Sequence, residues 1–215
     1  MKQDVIFFGS EDLKKLDKEF RRNFINSLSG YRSVNLCGTV NKKGITNLAI
    51  FNTVIHIGSE PPLIGMVIKP SSVPRDTLSN IIETGYYTLN HVAEEFIFKA
   101  HQTAARYDSN KSEFEIVKLR PFFTKTLPAP YAEESPVKIG LRLIEQFRLK
   151  SNRSTFIVGE VIETIIPSSL ILNDGLLNLS LAHVVASSGI DTYYATQKIG
   201  RLSYPSPGKD IDLIG

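Results

Sequence analysis

The segment "KPSSVPRDTLSN", residues 69–80, combines small hydroxyl residues, an arginine and the start of a helix. Its serines lead through Arg75 to Asp76 and Thr77, either of which can cap the helix that the following residues predict. Free N–H groups in a first helical turn, the helix dipole, an arginine fork and a hydroxyl together form an anion site. The same residues also suit an ordinary capped helix with an exposed arginine, and both interpretations stay open.

A second segment, "NLAIFNTVIHIGSEPPLIGMVI" from Asn47 to Ile68, predicts two strands joined by a turn at its proline pair. The first strand has two largely apolar faces, and these polar residues interrupt them: Asn47, Asn52, Thr53 and His56. Buried polar groups need hydrogen-bond partners. The backbone and the Asn and Thr side chains could form hydrogen bonds with the polar edge of a flat heterocycle whose phosphate lies at Arg75.

The motifs of several enzyme classes are absent from the sequence. No GxGxxG follows a strand, no phosphate-binding loop ends in Gly-Lys-Ser/Thr, and no GxSxG is present. The histidines are scattered, with no HExxH and no cysteine companions: His56, His91, His101 and His183. We therefore expect no metal site.

Length and composition favour one folded unit. At 215 residues, with 42% hydrophobic and 22% charged residues, the chain suits a single domain over residues 1–215 with a substantial core. A net charge of +3 is too small to predict nucleic acid or a membrane surface as a partner, and it is compatible with a modest anionic ligand.

The amino terminus and the cysteine content indicate a compartment. The first apolar run is too short for a signal peptide, and no stretch approaches the roughly 18 apolar residues of a membrane span. The single cysteine, Cys37, lies in an apolar run and is expected to be a buried, inert thiol. A cytoplasmic location is the expectation.

The hydrophobic pattern predicts mostly strands. A helical lead-in over about 10–29 precedes a strand, a tight turn at Gly44, the strand of the second segment and another strand after its prolines, as a meander. A compact helix from Asp76 should end before Gly85, and the strand "STFIVGEVIETIIP" should carry a bulge at Gly159. A short helical piece is expected around "LSLAHVVASSG".

These elements predict the fold class. About seven strands with a few short helices do not alternate as a doubly wound parallel sheet requires. A closed or nearly closed antiparallel barrel fits better, and its strands need cover on both faces. The barrel core would cover one face, and a helix, a ligand or a partner subunit the other.

The order of these features resembles one known family. The stretch "GTVNKKGITNLAIFNTVIHIGSEPPLIGMVIKP" followed by "RDTLSNIIETGYYTLNHV" is similar to the flavin reductase-like, FMN-binding split-barrel family. The matching features are a glycine turn, a polar strand, a Ser-x-x-Pro-Pro turn, an apolar strand and a helix start. They are Gly44, 47–53, 59–62, 63–68 and 75–77. The resemblance is clear from Val34 to Val92 and looser to Glu163.

The resemblance implies a mainly β, antiparallel split barrel of Greek-key type with short flanking helices, forming a homodimer with FMN near the interface. By position, the isoalloxazine ring would be lined, in part through backbone groups, by Asn47, Ala49, Phe51, Asn52 and Thr53. The phosphate would lie at Arg75, Asp76 and Thr77, and Thr103 and Ala104 would approach the flavin. The alternative role for each residue is sheet packing or helix capping.

The implied activity is NAD(P)H-dependent flavin reduction, with hydride passing from NADH or NADPH to N5 of FMN, and a monooxygenase as a possible redox partner. Two alternatives are an FMN-binding electron carrier without NAD(P)H oxidation, and a split-barrel module without catalysis. The late-loop histidine of some relatives has no counterpart, since His183 lies in an apolar run and is expected to pack. The extension over about 167–215 is long enough to shape substrate access or dimer contacts.

Overall fold

The computed structural model describes residues 4–70 and 76–214. Its helices are α1 (Ser10–Lys15), α2 (Lys18–Ser27), α3 (Asp76–Thr84), α4 (Ile97–Gln102) and α5 (Glu113–Val117). Its strands are β1 (Arg32–Ser33), β2 (Asn35–Val40), β3 (Thr46–Phe51), β4 (Val54–Ser59), β5 (Pro62–Ile68), β6 (Tyr86–His91), β7 (Pro121–Phe122), β8 (Tyr131–Ala132), β9 (Lys138–Arg148), β10 (Thr155–Ile165), β11 (Ala186–Ser188) and β12 (Thr192–Tyr194).

The helical lead-in consists of two helices instead of one. The chain leaves helical geometry at Leu16, and Asp17 then caps α2. The Asp17 carboxylate accepts hydrogen bonds from the N–H groups of Glu19, at 2.8 Å, and Phe20, at 3.1 Å. A carboxylate in this position satisfies N–H groups that have no partner within the helix, so it favours a new helix start.

Seven strands form the main antiparallel sheet, in the order β3-β2-β6-β9-β10-β5-β4. The strands β3 and β4 follow one another in the chain, yet they lie at opposite edges of this sheet. Only Asn52 and Thr53 separate them, so the two edges must approach at that corner. The result is the predicted mainly β, antiparallel split barrel, with the split between β3 and β4.

The predicted strand over residues 47–57 is therefore two strands, and the predicted meander is wrong at this point. At the corner, Thr53 joins β5: its hydroxyl donates to the carbonyl of Val67 at 2.6 Å, and its own carbonyl accepts from the Val67 N–H at 3.2 Å. The largely apolar pattern continues on both sides of the corner, and the polar residues there, Asn52 and Thr53, resemble the other polar interruptions at Asn47 and His56. For that reason the pattern gives no sign that the chain changes edges.

The barrel interior holds the main core. Its fully or almost fully buried side chains are Cys37, Phe51, Met66, Ile68, Ile81, Tyr87, Leu89, Leu141 and Ile157. Gly159 is the predicted bulge, where the β9–β10 register shifts, and a Cβ there would lie 2.2 Å from the Tyr87 hydroxyl. Burial raises the pKa of the Cys37 thiol, which suits the expected inert role.

A second core covers the outer face of β2 and β3. It consists mainly of side chains from β2, β3, α4, α5 and the segments around them: Val34, Leu36, Leu48, Val92, Phe96, Ala100, Phe114, Val117, Leu119 and Val185. The strand β3 is thus buried on both faces, by the barrel core on one side and by helices on the other. Two apolar faces in its sequence follow directly from this position.

The carboxyl-terminal region adds a small sheet instead of the predicted helical piece. The strands β11 and β12 form a hairpin that pairs with β1, in the order β1-β11-β12. His183 is exposed with a φ of 50°, so the expected packing of this residue is wrong. Its neighbours Ala182 and Val184 point into a core cluster instead. None of the helices in the described ranges has the length and apolar character that crossing a membrane requires.

Candidate functional site

A cavity of about 150 Å³ lies where β3 ends. Its lining combines apolar and polar side chains from β3, the turn after α4 and the carboxyl-terminal hairpin: Val34, Ile50, Asn52, Ala104, Ser187, Ile190 and Tyr193. The cavity brings together Asn52 and Ala104, which are far apart in the sequence and which the resemblance assigns to the flavin. Since an engineered cavity of about 150 Å³ binds benzene, this one has room for a single six-membered ring.

The cavity adjoins the open edge of the barrel. The N–H of Leu48 donates to the Glu113 carboxylate at 3.0 Å, so it points away from β2. Backbone groups alternate between the two edges of an antiparallel strand. The backbone N–H and carbonyl groups of Ile50 therefore point to the same open edge, where a ligand could form hydrogen bonds with them. Sequence patterns did not single out Ile50 because it resembles any other core residue.

Asn52 fixes the wall of the cavity. Its side-chain amide donates to the Ser187 hydroxyl at 3.1 Å and to the Gly189 carbonyl at 3.2 Å. The Arg32 guanidinium also donates to the Gly189 carbonyl. Gly189 has a φ of 67°, which suits a tight hairpin turn between β11 and β12. The carboxyl-terminal extension is thus attached to the end of β3.

Tyr193 and His101 form a polar pair beside the cavity. The Tyr193 hydroxyl lies 2.7 Å from Nδ1 of His101, and the two rings meet edge-on at a centroid distance of 5.6 Å. Burial raises the pKa of Tyr193, and the negative charge of Asp191 adds to this. The phenol is therefore a neutral hydrogen-bond donor or acceptor at the cavity wall. Sequence reasoning missed it because nothing local connects residue 193 to β3.

The two residues assigned in "HQTAA" have different surroundings. The hydroxyl of Thr103 donates to the Ala100 carbonyl at 2.7 Å, and its side chain is buried at the end of α4. This is the geometry of a helix-end hydrogen bond. Ala104 is exposed and lines the cavity. Of the pair, only Ala104 reaches the ring-sized space.

The odd-numbered residues of β3 and its corner face other parts of the protein. Phe51 is a core residue, and Ala49 packs against the same barrel core. Thr53 is bonded to β5, as described above. The cavity lining includes none of these three side chains. A contact between them and a flavin ring stays a prediction.

The start of α3 is tied to β3. The Thr77 hydroxyl donates to Oδ1 of Asn47 at 2.8 Å, and both side chains are buried. The same oxygen accepts from the Thr39 hydroxyl at 3.2 Å, and Thr39 in turn accepts from the Asn80 amide at 3.1 Å. Because the hydroxyl proton of Thr77 is used inside the protein, the backbone N–H groups of the first turn are what α3 offers an anion.

Asp76 is the first residue of α3 and is half-buried, and Arg75 lies outside the described residues. The assignment of Arg75 to a phosphate therefore stays a prediction from the sequence. An acidic residue in the first turn is favourable for the helix dipole. It also means that an anion here would be held by N–H groups and by a cation, and not by the Asp76 side chain.

Glu113 is a buried carboxyl group that sequence reasoning missed. Its Oε2 accepts from the Asn47 amide at 2.8 Å and from the Leu48 N–H at 3.0 Å. Burial raises the pKa of Glu113, the two hydrogen bonds oppose this, and the negative charge of Asp76 adds to the increase. Glu115 on the same short helix is exposed, and no sequence signal distinguishes the two acids.

The site has features that fit a flavin mononucleotide. A cavity with apolar walls and polar groups, with room for one of the three fused rings of a flavin, lies at one end of β3. The first turn of a nine-residue helix lies at the other end. Asn47 and Asn52 mark these ends, about 16 Å apart along an extended strand. A ligand with an aromatic ring, a polyol chain and a phosphate matches this arrangement.

Comparison with known proteins gives the family. Residues 31–179 match the family described as "Flavin reductase like domain". The chain is also similar to a split-barrel protein from Shewanella frigidimarina NCIMB 400 that is described as a flavin reductase. The two share 42% sequence identity, over 94% of this chain and 100% of that one, with a TM-score of 0.90.

More distant structures share the fold. Nitrilotriacetate monooxygenase component B from Bacillus cereus is 18% identical, over 94% of this chain and 100% of its own, with a TM-score of 0.82. Flavoredoxin of Desulfovibrio vulgaris (Miyazaki F) is 23% identical, over 84% and 94%, with a TM-score of 0.71. The family match includes nearly all of the barrel and the residues of both ends of β3. The chain therefore belongs to the flavin reductase-like family of split-barrel proteins.

Proposed function

We propose that this protein binds FMN and acts as an NAD(P)H-dependent flavin oxidoreductase. The observation that carries the proposal is the cavity at the open edge of β3. It joins Asn52 and Ala104, which the resemblance assigned to the flavin separately and which have no local connection in the sequence. Membership of the flavin reductase-like family supports the same conclusion.

The ring end of the ligand would lie beside β3. Asn52 holds the hairpin that forms one wall, and Ile50 offers backbone groups at the open edge. The Tyr193 hydroxyl adds a polar group that is already oriented by His101. Donors that are fixed before the reaction stabilise negative charge without reorganising, which is the contribution such residues make to flavin chemistry.

The phosphate end would lie at α3. The first-turn N–H groups at Asp76 and Thr77, together with the Arg75 side chain, would hold it, with support from the positive end of the helix dipole. When bound, FMN would supply the electron acceptor for a hydride from NADH or NADPH, so the protein itself needs no nucleophile. This agrees with the absence of hydrolase motifs from the sequence.

The protein would act as a homodimer. Long apolar side chains are exposed in both terminal regions, among them Phe7, Ile199, Tyr204 and Leu213. Burying such residues against a second copy removes apolar surface from water and is favourable. Light scattering on the purified protein should give twice the chain mass, and a monomeric mass would contradict the dimer.

A monooxygenase is the proposed type of redox partner. Support comes from the fold that the chain shares with component B of nitrilotriacetate monooxygenase. A reductase of this kind passes reduced flavin to a second protein. Reduced flavin produced by this protein should then sustain substrate oxidation by such an oxygenase, and failure with every oxygenase component tried would leave free flavin as the product.

The visible absorbance spectrum tests the proposed function. The purified protein, with FMN added if none is bound, should show flavin bands that bleach when NADH or NADPH is added without oxygen. Bands that persist with both nucleotides would favour an electron carrier. If the purified protein does not bind added FMN, the proposal is contradicted.

A further inference from the structure

Three buried polar side chains connect α5 to the start of α3. The Asn47 amide nitrogen donates to Oε2 of Glu113 at 2.8 Å, and the Asn47 oxygen accepts from the Thr77 hydroxyl at 2.8 Å. Glu113 and Asn47 are each 7% exposed, and Thr77 is 4% exposed. Asn47 thus joins two helices that pack on different sides of β3.

Glu113 determines which way the Asn47 amide faces. A carboxyl oxygen that already accepts the Leu48 N–H repels a second oxygen and attracts an N–H group. The amide nitrogen must therefore face Glu113, and the amide oxygen must face Thr77 and Thr39. The hydroxyl of Thr77 then has a fixed acceptor, so the first turn of α3 has a fixed position relative to β3.

We infer that Glu113 is a positioning residue for the phosphate end of the flavin site. It acts through Asn47 and Thr77 on the N–H groups that begin α3, and it touches neither the ring nor the phosphate. The inference rests on the proposed FMN binding. It adds a residue from a different helix, whose place in the sequence gives no hint of this role.

The surroundings of Glu113 favour a specific role over a general one. Its burial is unfavourable for the charged form, and the carboxylate that faces it from α3 is Asp76, of the same sign. The facing part of β3, residues 46–48, carries no charged side chain, and Glu115 on its own helix points to solvent. An apolar residue of similar size would avoid the cost of burying a carboxyl group, but it would leave the Asn47 amide and the Leu48 N–H without an acceptor. The hydrogen bonds of Glu113 therefore hold the Asn47 amide in a fixed position relative to the start of α3.

Affinities for FMN and riboflavin, measured by quenching of flavin fluorescence, test the inference because riboflavin lacks the phosphate. Glu113→Ala should weaken FMN binding about tenfold, since the Asn47 amide loses its orientation, and should leave riboflavin binding nearly unchanged. Glu113→Gln keeps an oxygen that accepts from Asn47 and Leu48, so it should retain most of the FMN affinity. Glu115→Gln, at the exposed acid, is the matched control and should match the unaltered protein.

A second variant covers the case in which Glu113→Ala does not fold. Thr77→Val keeps the backbone N–H and the side-chain size but removes the hydroxyl that donates a hydrogen bond to the Asn47 side-chain oxygen. It should also lower the affinity for FMN selectively. In the double variant Glu113→Ala/Thr77→Val, the factor by which FMN affinity falls should be smaller than the product of the factors for the two single variants. The reason is that both substitutions act through Asn47.

The results separate the inference from the proposed function. If Glu113→Ala or Thr77→Val weakens FMN and riboflavin binding equally, or weakens neither, the positioning role is wrong while FMN binding stands. If Glu113→Gln loses as much FMN affinity as Glu113→Ala, the proposed hydrogen-bond mechanism is wrong. If the unaltered protein binds neither flavin, the proposed function is wrong and the positioning role is wrong with it.

Discussion

Two asparagines of the same segment, Asn47 and Asn52, have opposite roles in the structure. Asn47 is buried, and its amide joins Glu113, Thr77 and Thr39 inside the protein. Asn52 lies at the corner after β3, lines a cavity and holds the carboxyl-terminal hairpin. The comparison shows that two residues of the same type in one segment can belong to opposite ends of a site, because an extended chain separates them by about 16 Å.

The largest expected effect is on stability, at Asn47. Asn47→Ala should lower the free energy of unfolding by about 2–4 kcal/mol, because it leaves buried partners, Glu113 among them, without their hydrogen bonds. Urea unfolding followed by circular dichroism measures this. A loss as small as that of Asn52→Ala would remove the distinction between the two asparagines.

The next effect concerns the phosphate end of the ligand. Arg75→Ala should weaken FMN binding by about 1.5–3 kcal/mol, through the loss of a charge-assisted hydrogen bond, and should spare riboflavin. Titration calorimetry with both flavins checks this, with Arg148→Ala on the exposed part of β9 as the control. Equal FMN affinity in both variants would contradict the assignment of Arg75.

A smaller effect is expected at the ring end. Asn52→Ala should cost about 1–2 kcal/mol of stability through its hydrogen bonds to the hairpin, and it should weaken FMN and riboflavin to the same extent. The equal loss for both flavins distinguishes this end from the phosphate end. A loss confined to FMN would show that Asn52 serves the phosphate instead.

The smallest effect is a pH dependence from Glu113. Its pKa is raised in the folded protein, so the folded state binds more protons than the unfolded state as pH rises above the ordinary Glu value, about 4.3. Stability contributed by this group must therefore fall with rising pH. Between about pH 5 and about pH 7, the Tm of Glu113→Gln should therefore rise relative to the Tm of the unaltered protein. A difference that does not change with pH would contradict the raised pKa.

Several parts of the fold could be predicted because their causes are local. The helix α3 spans Asp76–Thr84, and Gly85 follows it with a φ of 79°, as the glycine after an apolar stretch predicts. The predicted N-cap is wrong, because Asp76 and Thr77 both lie inside the helix. The bulge at Gly159 and the buried thiol of Cys37 were predicted on the same kind of evidence. The ordered motifs from Val34 to Val92 predicted the family.

The candidate site was predicted only in outline. The sequence identified Asn52, Ala104 and the start of α3 as places where a ligand could bind. It did not identify Tyr193 or Glu113, because each reaches the site from an element that is distant along the chain. It also grouped Ala49 and Phe51 with Asn52, although their side chains belong to the barrel core.

The sequence by itself determined the strand-rich pattern, the end of α3 before Gly85 and the family, since each depends on residue types that are neighbours in the chain. The tertiary structure decided that β3 and β4 lie at opposite edges, that Glu113 is buried while Glu115 is exposed, and that His183 faces solvent. These outcomes depend on which distant strands pair and on which helix packs over the open edge. Local sequence patterns carry no information about such contacts, because the contacts join residues that are distant in the chain and form only when the barrel closes.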